Sequence, residues 1–198
     1  MGLITAGFLV ALIAYGFLVH SLIVGKATQN FTTWFLWALL DAIAATSILY
    51  QGGNSWNVVL YVFGSTAIAF IVLKSGTIMW TWFETMIVCL VVACLVIWKI
   101  SDAKMATIAS TIAVIIAGIP QLVEAYQKPE DSPLIVYVGF LLGNILATVG
   151  GKEWSVQERF YTTMCGIYCG VYALLIARKF LNKNLRTEKR AKAQRRKR

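Results

Sequence analysis

Seven uninterrupted apolar stretches, each about as long as a bilayer is thick, constrain the fold of this chain more than any other feature. A helix needs about 20 apolar residues to cross the ~30 Å hydrocarbon core. The stretches run approximately over residues 3–24, 32–50, 57–74, 78–98, 104–126, 133–150 and 156–180. They lack the alternation expected of membrane β-barrel strands. The sequence therefore predicts an all-α integral membrane protein with seven transmembrane helices.

The composition leaves no water-soluble alternative for these stretches. Apolar residues make up 59% of the chain and charged residues 14%, and the mean hydropathy is +0.71. A soluble domain carries about 25% charged residues and buries most of its large apolar side chains in a core. The apolar excess here must face lipid, so we expect a multi-pass membrane protein.

Positive charge is concentrated at the carboxyl end. Residues 178–198 hold eleven Lys and Arg and one acid, against seven and eight in residues 1–177, so the two parts carry +10 and −1 of the net +9. By the positive-inside rule this tail is cytoplasmic, and seven spans then place the amino terminus outside. A polybasic segment next to a membrane span attracts anionic lipid head groups. We predict that partner for the tail and no nucleic acid.

No enzyme or cofactor site is visible in the sequence. The four cysteines lie inside apolar stretches without the paired spacing of a zinc site, and the single histidine excludes two-histidine haem ligation. No nucleophile and base stand in a recognisable pattern. A helical stripe on the seventh span indicates helix packing; it consists of Tyr161, Cys165, Tyr168, Cys169 and Tyr172. We predict neither catalysis nor a cofactor or metal.

An internal repeat links the two halves of the chain. Sliding the sequence by 98 residues places Gly-Gly-Asn-Ser-Trp at 52–56 on Gly-Gly-Lys-Glu-Trp at 150–154 without a gap. This shift pairs spans one to three with spans five to seven, which predicts a 3+1+3 arrangement of parallel repeats. The predicted parts are listed in chain order: a three-helix bundle (1–76), a linker helix (77–102), a second three-helix bundle (103–180) and the basic cytoplasmic tail (181–198).

Pro120 is expected to interrupt the fifth span. A proline inside a helix removes a backbone donor and frees the carbonyl four residues back, here that of Ile116. Gln121 offers a donor and an acceptor to the opened backbone. The pair is either a gating hinge or a kink needed only for packing.

The segment around this proline resembles a known motif. Residues 117–126 read Ala-Gly-Ile-Pro-Gln-Leu-Val-Glu-Ala-Tyr, and the next span contains Leu-Gly-Asn at 142–144. Together with the 3+1+3 repeat, this resembles the PQ-loop and SWEET-like superfamily of seven-helix membrane transporters. The resemblance implies two three-helix bundles joined by a linker helix, an external amino terminus, and facilitative or proton-coupled movement of small polar solutes. The first half departs from the motif, because Leu22 and Ile23 stand where the shift would place Pro-Gln.

Two spans each carry an aromatic stripe that ends in a polar side chain. Asp41 lies near the middle of the second span, where a charge costs at least ~2.5 kcal/mol and needs a partner or a proton. The predicted substrate-binding residues are Trp34, Trp37 and Asp41 on the second span, Tyr137, Phe140 and Asn144 on the sixth, and Thr46, the partner of Asn144 at a shift of 98. Aromatic walls with a few polar groups suit a small polar ligand. The alternative is that Asp41 and Asn144 only join helices by hydrogen bonds.

Two classes of function remain open at this point. The first is a transporter or facilitator in which a small polar or cationic solute binds between the repeats near the bilayer midplane, with Asp41 supplying charge or taking a proton. The second is a seven-helix receptor or scaffold that moves no solute and recognises a partner through its tail. An oligomer is compatible with either.

Overall fold

The computed structural model describes residues 2–27, 29–74, 82–129 and 132–195. Residues 78–81, the predicted start of the fourth span, and residues 196–198 of the tail lie outside this part. The described residues are helical with short connections and contain no strand.

The helices follow the predicted apolar stretches to within a few residues, except that α8 continues beyond the predicted end at residue 180 into the basic segment. In chain order they are α1 (Gly2–Ile23), α2 (Phe31–Tyr50), α3 (Trp56–Lys74), α4 (Trp82–Ile100), α5 (Ala103–Ala117), α6 (Ile119–Gln127), α7 (Leu134–Gly150) and α8 (Tyr161–Arg195). A π-helical turn, Val156–Phe160, leads into α8. Side chains cap two of the starts: Asn30 accepts from the amides of Thr32 and Thr33, and Asp102 accepts from that of Met105.

Within the part of the chain that the structure describes, five helical segments are long and apolar enough to cross a membrane. They are Gly2–Ile23, Phe31–Tyr50, Trp56–Lys74, Ala103–Gln127 and Val156–Arg178. Two shorter apolar helices, Thr85–Ile100 and Leu134–Gly150, accompany them. The prediction of a helical multi-pass membrane protein is confirmed at this level, while the count of seven spans stays a prediction.

By their order in the chain, we call α1 to α3 the first group of helices and α5 to α8 the second; the two groups meet where α1 packs against α7, α2 against α5 and α3 against α8. In the first group α3 packs against both α1 and α2, and in the second α8 packs against α5, α6 and α7. Helix α4 lies against α5 and α2. The middle of the molecule is therefore bordered by helices of both groups.

Glycines bring α1 and α7 into close contact. A Cβ atom on Gly7 would lie 2.7 Å from the carbonyl oxygen of Gly143, and a Cβ on Gly139 would lie 2.9 Å from the Cβ of Ala14. Small residues at such crossings let two backbones approach and gain dispersion contacts, which is how helices associate in lipid. Larger side chains at these positions would separate the two helices.

The fifth predicted span is interrupted beside Pro120, as the sequence predicts. Helix α5 ends at Ala117, α6 begins at Ile119, and the amide of Gly118 is shared between the carbonyls of Val114 (3.1 Å) and Ile115 (3.2 Å). The break lies against α8, where the Tyr168 hydroxyl donates to the Gly118 carbonyl at 3.0 Å. The Gly118 carbonyl also accepts from the amide of Leu122 at 3.2 Å, so the Tyr168 bond is a second one that joins the break to α8.

Candidate functional site

A small cavity lies between the two groups of helices. Its volume is about 60 Å³, which is room for a few water molecules. The lining residues come from both groups: Tyr15, Trp34, Trp37, Asp41, Tyr61 and Ser65 from α1 to α3, and Val114, Tyr137, Phe140, Asn144, Tyr161, Cys165, Tyr168 and Cys169 from α5, α7 and α8. Most are aromatic or apolar, and a carboxyl and an amide stand among them.

Six of the seven substrate-binding residues predicted from sequence share this cavity. They are Trp34, Trp37, Asp41, Tyr137, Phe140 and Asn144. The structure does not bring Thr46 to them, because its side chain is exposed on the outside of α2 and its hydroxyl donates to the Ala42 carbonyl of the same helix at 2.6 Å. Asp41, and not Thr46, therefore shares the cavity with Asn144.

Asp41 is buried and receives two hydroxyl groups. The Tyr161 hydroxyl donates to Oδ1 at 2.5 Å, and the Ser65 hydroxyl lies 3.5 Å from Oδ2, at the limit of a hydrogen bond. These donors belong to α8 and α3, so the carboxyl joins three helices. Both partners are neutral groups, which stabilise a carboxylate by hydrogen bonding without neutralising its charge.

Aromatic rings form most of the cavity wall. Tyr15 packs edge-on against Phe140 at 4.7 Å between ring centroids, and Trp34 packs edge-on against Trp37 at 5.0 Å. Tyr168 continues this wall at 5.8 Å from Trp37. Edge-to-face contacts between aromatic rings in this distance range are favourable and hold the rings in fixed orientations.

Three buried polar atoms of the described cavity lining lack a hydrogen-bond partner. The Asn144 amide nitrogen donates to the Phe140 carbonyl at 2.9 Å, while its Oδ1 has no partner. The hydroxyls of Tyr61 and Tyr137 are also without one. A buried polar atom left unpaired costs about 1–3 kcal/mol, so these groups favour a polar ligand or water in the cavity.

Polar contacts flank the cavity on its α2 side in both directions. Towards the end of α2, Ser47 bonds to Thr107 at 2.8 Å and Gln51 bonds to Thr107 at 2.9 Å. Towards its start, Trp34 donates its indole N–H to the side-chain oxygen of Gln29 at 2.7 Å, and Gln121 donates to that same oxygen. These contacts join the two groups of helices on either side of Asp41.

The partner of Gln121 corrects the sequence prediction. We expected Gln121 to bond to the backbone opened by Pro120, but its amide nitrogen reaches Gln29 in the connection before α2. The Gln121 oxygen is buried without a partner. Tyr168 instead bonds to the carbonyl at the break, so Gln121 acts across the two groups of helices.

The segment between α7 and α8 contacts the segment between α2 and α3, and one of the two Gly-Gly sequences lies at the beginning of each segment. The two carboxylate oxygens of Glu158 accept from the backbone amides of Asn54 and Lys152, each at 3.2 Å. Arg159 donates to the carbonyls of Gly151 (2.6 Å) and Glu153 (2.8 Å). The two segments that match at a shift of 98 are thus held together by one acidic side chain.

Several residues of the cavity were not predicted from the sequence. The interpretation of the stripe on the seventh span as packing is incomplete, because four of its five members line the cavity: Tyr161, Cys165, Tyr168 and Cys169. Tyr172 bonds to Ser132 at 3.1 Å. Tyr161 carried a usable signal, since a tyrosine one turn into a span can reach a carboxyl on a neighbouring helix. Tyr15, Tyr61 and Ser65 carried none, because nothing in their spacing separates an inward face from a lipid-facing one.

No family model, curated protein or solved structure matches this chain. Its function must therefore be inferred from the geometry of the cavity. Within the described residues, no group of three or more His, Cys, Asp or Glu could hold a metal ion.

Proposed function

We propose that this protein is a membrane transporter or facilitator of a small polar solute, which binds between two three-helix repeats near the bilayer midplane. The observation that carries the proposal is the shared cavity of Asp41 and Asn144, which lie on α2 and α7 in different groups of helices. A polar pocket between two halves near the midplane is the usual location of a substrate site in repeat-built transporters.

The depth of Asp41 supports a role beyond packing. It is ten residues from the start of α2 and nine from its end, so roughly 15 Å of helix lies on either side at 1.5 Å per residue. An ionisable group at that depth is expensive, and such groups usually mark a substrate path or a proton relay. Asp41 can carry a proton when the site is empty, which makes proton-coupled transport part of the proposal.

The packing pattern supports a 3+1+3 arrangement. If spans one to three are exchanged with spans five to seven, the contact of α1 with α7 becomes the contact of α5 with α2, and both exist. Two close contacts show the same exchange. A shift of 103 residues moves Ile4 onto Thr107 and Ser47 onto Gly150, so the contact of Ile4 with Gly150 becomes the contact of Thr107 with Ser47. That shift also pairs Asp41 with Asn144. A shift of 98 residues superposes the two Gly-Gly connecting segments, whereas a shift of 103 residues superposes the helices that make these contacts.

This arrangement agrees with the resemblance to the PQ-loop and SWEET-like superfamily. In the proposed topology α4 is the linker helix, the amino terminus is outside, and the basic tail is cytoplasmic and contacts anionic lipids. The break beside Pro120 lies in the second repeat only. We therefore propose that the second repeat makes the larger movement when the site opens.

We assign the structure to a closed form of the proposed carrier, because the cavity is small. Ligand sites for small molecules usually have volumes of about 300–1,000 Å³, and this cavity has about 60 Å³. Contacts between the groups of helices flank it in both directions along α2. Entry of a solute therefore requires one set of these contacts to break, as alternating access demands.

Uptake by purified protein in proteoliposomes tests the proposal. A panel of labelled sugars, amino acids, amines and vitamins should contain a solute with saturable uptake, and Asp41→Asn should abolish that uptake. Thr46→Val is the matched control on the same helix, because Thr46 is exposed and bonds only to its own backbone; it should transport normally. Saturable uptake that survives Asp41→Asn would remove the basis for placing the site here.

The receptor or scaffold alternative gives a different result in the same preparation. If no solute of the panel crosses the membrane or shifts the unfolding temperature, while truncation of the basic tail abolishes capture of a protein partner, the transporter proposal fails.

A further inference from the structure

The charged groups around the cavity are unbalanced. Among the described residues that line the cavity, Asp41 is the one acid and none is Lys, Arg or His. The other titratable groups that face it are tyrosines and cysteines from α1, α3, α7 and α8, namely Tyr15, Tyr61, Tyr137, Tyr161, Tyr168, Cys165 and Cys169. Tyrosine and cysteine side chains are ordinarily neutral at physiological pH. An ionised Asp41 therefore receives no counter-charge from the walls of its own site.

The aromatic walls favour a cation as the missing counter-charge. The faces of Trp and Tyr rings attract ammonium groups, and the attraction reaches about 2 kcal/mol or more when the cation is desolvated. Trp34, Trp37, Tyr15 and Tyr61 all border the cavity that contains Asp41. A cation bound there would pair with the carboxylate and contact the rings at the same time.

The hydrogen-bonding groups favour a ligand with N–H donors. Asn144 offers its Oδ1 as a free acceptor while its amide nitrogen is already engaged. Each Asp41 oxygen accepts one hydroxyl and has lone pairs left. A primary ammonium group has three donors and no acceptor, which complements this set.

We infer that the site takes a small primary ammonium compound without a carboxylate. This inference rests on the proposed function, because it names the substrate class of the same cavity. A neutral polyol leaves the carboxylate without a counter-charge. An amino acid brings its own carboxylate into a lining that contains no basic side chain to receive it.

Four ligands of closely related structure test the inference by isothermal titration calorimetry on the purified full-length protein. Ethanolamine carries the primary ammonium, ethylene glycol replaces it with a hydroxyl, glycine adds a carboxylate, and choline methylates the nitrogen and removes its donors. Ethanolamine should bind at least about tenfold more tightly than each of the others, since one lost interaction of roughly 1.4 kcal/mol has that effect. It should also be taken up into proteoliposomes, and Asp41→Asn should abolish both.

The outcomes separate failure of the inference from failure of the proposed function. If glycine, choline or ethylene glycol binds as tightly as ethanolamine, the assignment of a primary ammonium is wrong. If ethanolamine is inert while a sugar is transported in an Asp41-dependent way, the transporter proposal stands and the inference fails. If nothing is bound or moved, both fail. The comparison of four ligands uses the unaltered protein, so it stays decisive even where Asp41→Asn does not fold.

Discussion

Tyr161, at the start of α8, donates a hydrogen bond from its hydroxyl to Oδ1 of Asp41 at 2.5 Å, although the two residues are 120 positions apart in the sequence. The acid of the first group of helices is thus stabilised by a side chain of the second group. Any movement that separates α2 from the beginning of α8 must break this bond. The contact therefore couples the state of the carboxyl to the relative position of the two groups.

Removal of this donor should destabilise the protein more than removal of a comparable neutral bond. Tyr161→Phe keeps the ring and deletes the partner of a buried carboxyl, so the free energy of unfolding should fall by about 1–3 kcal/mol. Tyr172→Phe, on the same helix as Tyr161, deletes a bond between two neutral hydroxyls, its partner being Ser132 in the connection before α7, and should cost about 1 kcal/mol or less. Thermal unfolding in detergent measures both. Equal losses would show that the contact with Asp41 has no special weight.

Two glycines of α1 should respond differently to the same substitution. Gly7 meets the Gly143 carbonyl of α7, whereas nothing lies within 4 Å of a Cβ placed on Gly16. Gly7→Leu should force α1 away from α7 and lower the unfolding temperature or prevent folding, and Gly16→Leu should be neutral or slightly stabilising, since leucine favours helix more than glycine. Size-exclusion profiles and unfolding temperatures of the two variants measure the difference. Normal folding of Gly7→Leu would contradict the described crossing.

Pro120→Ala tests the role of the helix break. Pro120 lies in the first turn of α6, where a proline costs little, so its removal relieves little strain; alanine instead offers a donor to the Ile116 carbonyl and favours a continuous helix through the break. The unfolding temperature should therefore be unchanged or slightly raised, while the rate of solute uptake falls. A kink needed only for packing predicts the reverse: a lower unfolding temperature, with uptake reduced only in proportion to the folded protein.

The helices could be predicted from sequence because lipid requires them. Long apolar stretches in a bilayer must satisfy their backbone groups internally, and the observed bounds lie within a few residues of the predicted ones except at the end of α8, which continues from the predicted end at residue 180 to Arg195. The polar ends of two aromatic stripes were also informative. Asp41 and Asn144 are costly on a lipid-facing surface, so their spacing from Trp37 and Phe140 identified the inward faces of α2 and α7.

The remaining wall of the cavity could not be predicted, for a physical reason. In a soluble helix polarity separates the buried face from the exposed one, but here both lipid and the protein interior accept apolar side chains. Tyr61 and Phe63 on α3 illustrate this, since Tyr61 is buried at the cavity and Phe63 is 71% exposed. The contact of Gln29 with Gln121 was equally hidden, because it depends on how two distant segments meet.

Glu158 should control access to the cavity from the side of the Gly-Gly segments. One of its carboxylate oxygens accepts a hydrogen bond from the backbone amide of Asn54, and the other accepts one from that of Lys152. A glutamine at this position would have only one acceptor oxygen. Glu158→Gln should therefore release one segment and favour opening by roughly 1 kcal/mol, or about fivefold in the open population.

The native thiols of Cys165 and Cys169 report that opening, because both line the cavity. In a background with Cys89→Ser and Cys94→Ser, a small maleimide should label Glu158→Gln about fivefold faster than the parent. Glu153→Gln makes the same charge change in the same segment, where Arg159 bonds to the backbone carbonyl of Glu153, and should leave labelling unchanged. If both variants are labelled faster to the same extent, the effect is due to surface charge. If neither is labelled faster than the parent, Glu158 does not restrain the segments that flank this end of the cavity.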